Sequence, residues 1–205
     1  MMRYRTVSIA LGFATILAGC TSPPPTQTAS ESPTSAASNP TEHAAALPAD
    51  PKTDDEIIQV ALSAAPADVA GGAAVVEPNA DGTMRQIRAG TNGFVCMARP
   101  EVMCLDKQWQ EWADAWMNKR APTVTAVGVA YMLQGDTGAS NTDPFATSQA
   151  PDNQWVVTPA HIMVLTPDTK QLDALSTEPY NGGPWVMWKG TPYAHIMVPT
   201  APMKK

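Results

Sequence analysis

The chain has 205 residues, of which 44% are hydrophobic and only 16% charged, with 20 prolines and three cysteines, a length that allows one domain plus accessory segments. The 13 basic and 19 acidic residues give a net charge of -6 without any basic block, so nucleic acid is not expected as a partner. Six tryptophans exclude a wholly disordered chain, and no long apolar run beyond the N-terminus suggests an internal transmembrane helix.

In chain order, Arg3 and Arg5 precede a mostly apolar stretch from Val7 to Leu17. This is the pattern of a secretory signal peptide and is too short for a spanning helix. The stretch ends Leu17-Ala18-Gly19-Cys20. That tetrapeptide resembles the lipobox of bacterial lipoproteins. The resemblance implies a diacylglyceryl group on the Cys20 thiol, cleavage of residues 1–19, and Cys20 as the mature N-terminus. Two or more acyl chains anchor stably where one is marginal. The expected partner is therefore the membrane, through lipidated Cys20, and the expected location is the cell envelope. Thr21 stands where an Asp would retain a Gram-negative lipoprotein at the inner membrane. For a Gram-negative source, the resemblance thus implies the outer membrane, facing the periplasm.

Residues 20–52 read as a disordered tether. Pro23, Pro24, Pro25, Pro33, Pro40, Pro48 and Pro51 are spread through Ser, Thr and Ala, a composition that buries no core. His43 belongs to this segment as a solvated residue. A single domain is expected over 53–205.

Thr53-Asp54-Asp55-Glu56 predicts a capping box, followed by the apolar stripe Ile57, Ile58, Ala61, Leu62 and Ala65 up to Pro66. Gly71-Gly72 predicts a break, and Ala73 to Glu77 a strand. Met84 to Ala89 and Phe94 to Ala98 flank Gly90-Thr91-Asn92-Gly93, which predicts a hairpin. Asp106 caps a predicted helix to Arg120, with Trp109, Trp112 and Trp116 on one face. Val124 to Leu133 reads as a central strand and Gly135 to Asn153 as a long polar loop. Thr166-Pro167-Asp168 opens a short helix through Leu175. Strands follow near Trp185 to Lys189 and Tyr193 to Val198. These elements predict an α+β fold, a mostly antiparallel sheet packed by two or three helices.

With Cys20 assigned to lipid, Cys96 and Cys104 remain. Two cysteines in an exported chain predict a disulfide, and their spacing matches neither a CxxC redox pair nor a zinc pattern. The tryptophan face has two readings, a helix buried on the sheet or an aromatic platform for a sugar or quaternary ammonium. The oxygen-rich segment Asp136 to Asp143 lacks EF-hand spacing, so turn chemistry by its Asp and Asn side chains is favoured over Ca²⁺. GxSxG, P-loop, GxGxxG and HExxH motifs are absent from the sequence, and no catalytic residue or cofactor is assigned.

One pentapeptide recurs. Ala160-His161-Ile162-Met163-Val164 returns as Ala194-His195-Ile196-Met197-Val198. In a strand, His and Met at i and i+2 share a face. If the two strands are neighbours, His161, Met163, His195 and Met197 offer imidazoles and thioethers suited to Cu(I). The competing account is core packing by methionine around hydrogen-bonded histidines. The stretch Asn181 to His195 resembles runs in uncharacterised exported bacterial proteins, a resemblance that carries no activity. The leading functional reading is a lipid-anchored envelope protein with a non-catalytic binding or scaffolding domain. Its alternatives are a soft-metal (Cu) binding lipoprotein and a hydrolase using His161 or His195 with Asp143.

Overall fold

The computed structural model describes residues 49–204. The signal peptide, Cys20, His43 and the tether up to residue 48 lie outside the described residues. The first element is α1 (Asp54–Leu62). Thr53 Oγ1 accepts from Glu56 N at 3.3 Å, and Glu56 Oε2 accepts from Thr53 N at 3.0 Å, so the capping box is complete. The helix buries Ile57, Val60 and Ala61 and stops at Ser63, whose hydroxyl donates to Val60 O at 2.6 Å. It therefore ends short of Ala65. A second helix, α2 (Ala67–Gly72), follows where a break was expected. The Pro66 carbonyl accepts from Val69 N and Ala70 N, and the two glycines form the last turn rather than interrupting one.

The chain continues through β1 (Ala74–Pro78), β2 (Met84–Arg88), β3 (Val95–Met97), β4 (Met103–Leu105), α3 (Lys107–Met117), β5 (Gly128–Met132), β6 (Ala139–Ser140), β7 (Trp155–Val156) and β8 (His161–Leu165). A 3-10 turn (Thr169–Leu172), β9 (Trp185–Met187) and β10 (His195–Pro199) complete it. Eight strands form one sheet in the order β2-β1-β3-β4-β5-β8-β10-β9, and β6 pairs with β7 separately. Among these pairs only β1 and β3 run parallel. The fold is thus α+β, with a large, mostly antiparallel sheet and three α-helices among the described residues.

Two further expectations need correction. Gly90-Thr91-Asn92-Gly93 does not close a hairpin, because β1 lies between β2 and β3. The segment is held instead to the α2–β1 junction: Thr91 N and Asn92 N donate to Gly72 O, and Asn92 Nδ2 donates to Val69 O at 2.7 Å. Gly90 passes so close to β1 that a Cβ there would lie 2.2 Å from Ala74 N. The strand expected from Val124 begins only at Gly128. Gln108 Oε1 accepts from Thr125 N at 2.8 Å and Ala126 N at 3.3 Å, and Glu111 Oε2 accepts from Thr123 N at 2.8 Å. Side chains of α3 thus take the backbone donors that a strand would use.

Side chains alternate across the sheet, and helices cover opposite faces. On one face Cys96, Cys104 and Val75 pack with Ile57 and Ala61 of α1. Cys96 and Cys104 are directly opposite in β3 and β4, with an S–S distance of 1.93 Å. The bond therefore joins two adjacent strands. The next row, Leu105, Ala130, Met163, Met197 and Trp185, faces the other way. Leu105, Ala130, Met197 and Trp185 are core there with Trp109 and Trp112 of α3, and Met163 packs against them. This second face carries the candidate site.

Candidate functional site

Asp106 sets the position of α3. Its Oδ1 accepts from Trp109 N at 2.9 Å, capping the helix, and its Oδ2 accepts from Val129 N at 2.6 Å, fastening the helix start to β5. The i, i+3, i+7 spacing then turns Trp109, Trp112 and Trp116 toward the sheet. Trp109 is 2% exposed and Trp112 6%, so the face is buried against the sheet. Trp112 stacks on Trp188 at 5.7 Å between ring centroids, with 3° between planes, and on Trp116 at 6.4 Å. Trp116 Nε1 donates to Pro144 O at 2.8 Å, and Trp188 Nε1 donates to Ser140 O, which brings the 135–153 segment over the edge of the helix.

Between this layer and the sheet is a cavity of about 680 Å³. Its walls carry Trp109, Trp112, Trp116, Trp155 and Trp188. Six methionines contribute thioethers: Met103, Met117, Met132, Met163, Met187 and Met197. The floor is deeply buried and includes His161 and His195, 0% and 2% exposed. The mouth includes exposed Met117, Lys119, Asp143 and Phe145, with the Lys119 Nζ 5.4 Å from the Phe145 ring centroid.

The repeated pentapeptides build this floor. β8 and β10 are adjacent and antiparallel, with Met163 directly opposite Met197. An approximate twofold axis normal to the sheet relates the two copies through this methionine pair. His161, Met163, His195 and Met197 therefore share one face and one cavity. The register places the histidines at opposite ends: His161 faces Pro199 on β10, while His195 lies level with Leu165 on β8. A stagger of four residues separates them by roughly 14 Å along the strands.

Each imidazole is held in the same way. His161 Nδ1 lies 2.7 Å from Pro159 O, and His195 Nδ1 lies 2.9 Å from Tyr193 O. A carbonyl only accepts, so each Nδ1 carries the proton and each neutral ring keeps its lone pair on Nε2. Burial pushes the His161 imidazole below the ordinary histidine value, against the opposing pull of the Pro159 carbonyl and of Asp136 and Glu101. Burial pushes His195 down to about 4; the Tyr193 carbonyl opposes this, and His161 adds to it. Both rings are neutral at pH 7. His195 is ringed edge-to-face by Trp109 at 5.2 Å, Trp112 at 5.5 Å and Trp188 at 5.1 Å.

Among the described residues, four buried polar side-chain atoms have no hydrogen-bond partner: Trp109 Nε1, Trp112 Nε1, Thr158 Oγ1 and His161 Nε2. Three of their residues, Trp109, Trp112 and His161, line the cavity. The carboxylate nearest His161 is Asp136, with Oδ2 4.0 Å from Nε2, too far for a hydrogen bond. Asp143 lies at the mouth, where its Oδ1 accepts from Phe145 N at 2.9 Å. Asp136 Oδ1 accepts from Gly138 N at 3.1 Å and Thr158 N at 2.7 Å. Both acids of the 136–143 segment thus perform turn chemistry. Among the described residues, no three of His, Cys, Asp and Glu come close enough together to hold a metal ion, and no helix is long and apolar enough to cross a membrane.

Sequence reasoning located four floor residues through the repeat but missed Met132 and Met187. Met132 on β5 is directly opposite His161, and Met187 on β9 is directly opposite His195. Neither belongs to the repeat, and only strand pairing brings them to the histidines. No family model matches the chain, and no curated protein or solved structure is significantly similar to it.

Proposed function

We propose that this is a lipid-anchored envelope protein whose α+β domain binds a small ligand in the cavity beneath α3 without transforming it. The anchor rests on the sequence Leu17-Ala18-Gly19-Cys20 after a basic and then an apolar segment. The binding role rests on one observation: a 680 Å³ cavity is lined by thioethers and indoles, and three of its lining residues, Trp109, Trp112 and His161, carry buried polar atoms without a hydrogen-bond partner. An unpartnered buried polar atom costs about 1–3 kcal/mol. A ligand that reaches these atoms recovers part of that cost, which favours an occupied cavity. Binding is favoured over hydrolysis because no side-chain hydroxyl is hydrogen-bonded to either histidine among the described residues.

The full-length chain in detergent micelles tests the cavity with an environment-sensitive apolar dye. Saturable binding is expected, accompanied by a change in tryptophan emission. Ala113 lines the cavity, so Ala113→Trp should fill it and abolish the signal. Equal dye binding by that variant removes the binding reading. For the anchor, Cys20→Ser should leave an uncleaved or mis-cleaved precursor with no lipid label. Wild-type protein that remains soluble and unlabelled removes the envelope reading.

A further inference from the structure

Resting on that binding reading, we infer that the ligand is a soft monovalent cation, Cu(I), and that the cavity floor holds two of them in separate His-Met-Met sets. The sets follow from strand register. Met132 is directly opposite His161, and Met163 is two residues along the same strand and face. Met187 is directly opposite His195, and Met197 is two residues along. Directly opposite same-face residues have Cβ atoms about 5 Å apart, and i, i+2 neighbours are about 7 Å apart, both within reach of the unbranched methionine side chain. All six side chains line the one cavity.

The donor types select the ion. Each set offers one imidazole nitrogen and two thioether sulfurs, neutral and mostly soft, which suits Cu(I) rather than Mg²⁺, Ca²⁺ or Mn²⁺. The Nδ1 contacts to Pro159 O and Tyr193 O leave both Nε2 atoms available as ligands, the arrangement by which an outer hydrogen bond orients a ligating histidine. His161 Nε2 is buried and has no hydrogen-bond partner. Trp109, Trp112 and Trp188 surround the His195 ring and shield that end of the floor from solvent. Each imidazole has its own directly opposite methionine, and the strand positions of the two histidines are staggered by roughly 14 Å, which gives each its own ion. Binding is coordination alone: the metal enters as Cu(I), leaves as Cu(I), and no electron is transferred.

The test presents anaerobic Cu(I), as its bicinchoninate complex, to the full-length chain in micelles. Wild type should withdraw two equivalents. Met132→Leu and Met187→Leu, which nearly conserve volume, should each withdraw one. Met84→Leu, on the exposed far strand β2, should still withdraw two. Withdrawal of one equivalent or none by wild type, or of two by both cavity variants, overturns the inference. The apolar dye separates the two levels of failure. Dye binding that is lost in Ala113→Trp, with no copper withdrawn, retains the binding cavity and rejects the metal. Loss of both signals rejects both.

Discussion

Two histidines in identical pentapeptides take the same local geometry because the carbonyl two residues upstream of each accepts its Nδ1 proton. Burial, working against the pull of that bond, has a thermodynamic consequence at His195. Its value is about 4 in the fold against 6.5 when free, so between these values the unfolded chain binds a proton that the folded chain does not. Stability is therefore greatest above pH 6.5 and falls as the pH drops toward 4, by roughly 3 kcal/mol over the window. His161 is shifted in the same direction and adds to the loss. Urea unfolding of wild type and His195→Phe at intervals from pH 7 to pH 4.5 checks this. The variant should have a flatter profile, and identical profiles would show that His195 does not contribute. Gly138 gives a second residue-scale outcome. Its φ is +110°, and a Cβ there would lie 2.3 Å from Trp155 Nε1. Gly138→Ala should lower the melting temperature, because the backbone is strained and an indole of the cavity wall must move.

At the scale of elements, α3 depends on one carboxylate. Asp106 caps the helix through Trp109 N and fastens it to β5 through Val129 N. Asp106→Ala removes both bonds and leaves two part-buried donors unmatched, a loss of about 2 kcal/mol. Because three tryptophans ride on α3, near-UV circular dichroism should weaken along with the melting temperature. A normal spectrum and melting temperature would place the control of α3 elsewhere. The β3–β4 hairpin is closed by Cys96 and Cys104, eight positions apart. Reduction should cost about 2–3 kcal/mol in the chain-entropy account for so short a loop. It should leave the sheet paired, since β4 is also hydrogen-bonded to β5. Urea midpoints with and without reductant measure the cost, and non-reducing peptide mapping should find the two cysteines linked.

At the scale of the described domain, α1 and α3 cover opposite faces of one sheet, and the α3 side carries the cavity of thioethers, indoles and imidazoles. Leu105, Trp109 and Trp185 belong to the core of that face, and Leu105 and Trp109 also line the open volume that the thioethers and imidazoles surround. A ligand that enters only the folded state stabilises it by mass action. At a concentration 100 times its Kd, an apolar probe should raise the unfolding free energy by about 2.7 kcal/mol. Ala113→Trp should show no such gain. A gain of the same size in that variant would move the binding site away from the cavity.

The features legible in the sequence were those decided within a few residues of themselves. Thr53 with Glu56 and Asp106 with Trp109 are caps formed by side chains reaching the adjacent helical turn, so their spacing is sufficient to identify them. The tryptophan face follows from helical period, and the shared face of His161 with Met163 from strand period. The pairing of strands distant in sequence was not legible. Gly90 to Gly93 has the composition of a hairpin turn, yet β1 lies between its flanking strands, because bonds to Gly72 and Val69 hold that segment beside α2. The strand expected from Val124 starts at Gly128 because Gln108 and Glu111, on another element, take its first donors. Met132 and Met187 carry no local mark that separates them from core filler. They meet the histidines only through β5–β8 and β9–β10 register, which is set by burial of the whole sheet rather than by any neighbouring residue. Local hydrogen-bond reach thus made the individual elements readable, while the composition of the cavity floor was decided only when distant strands paired.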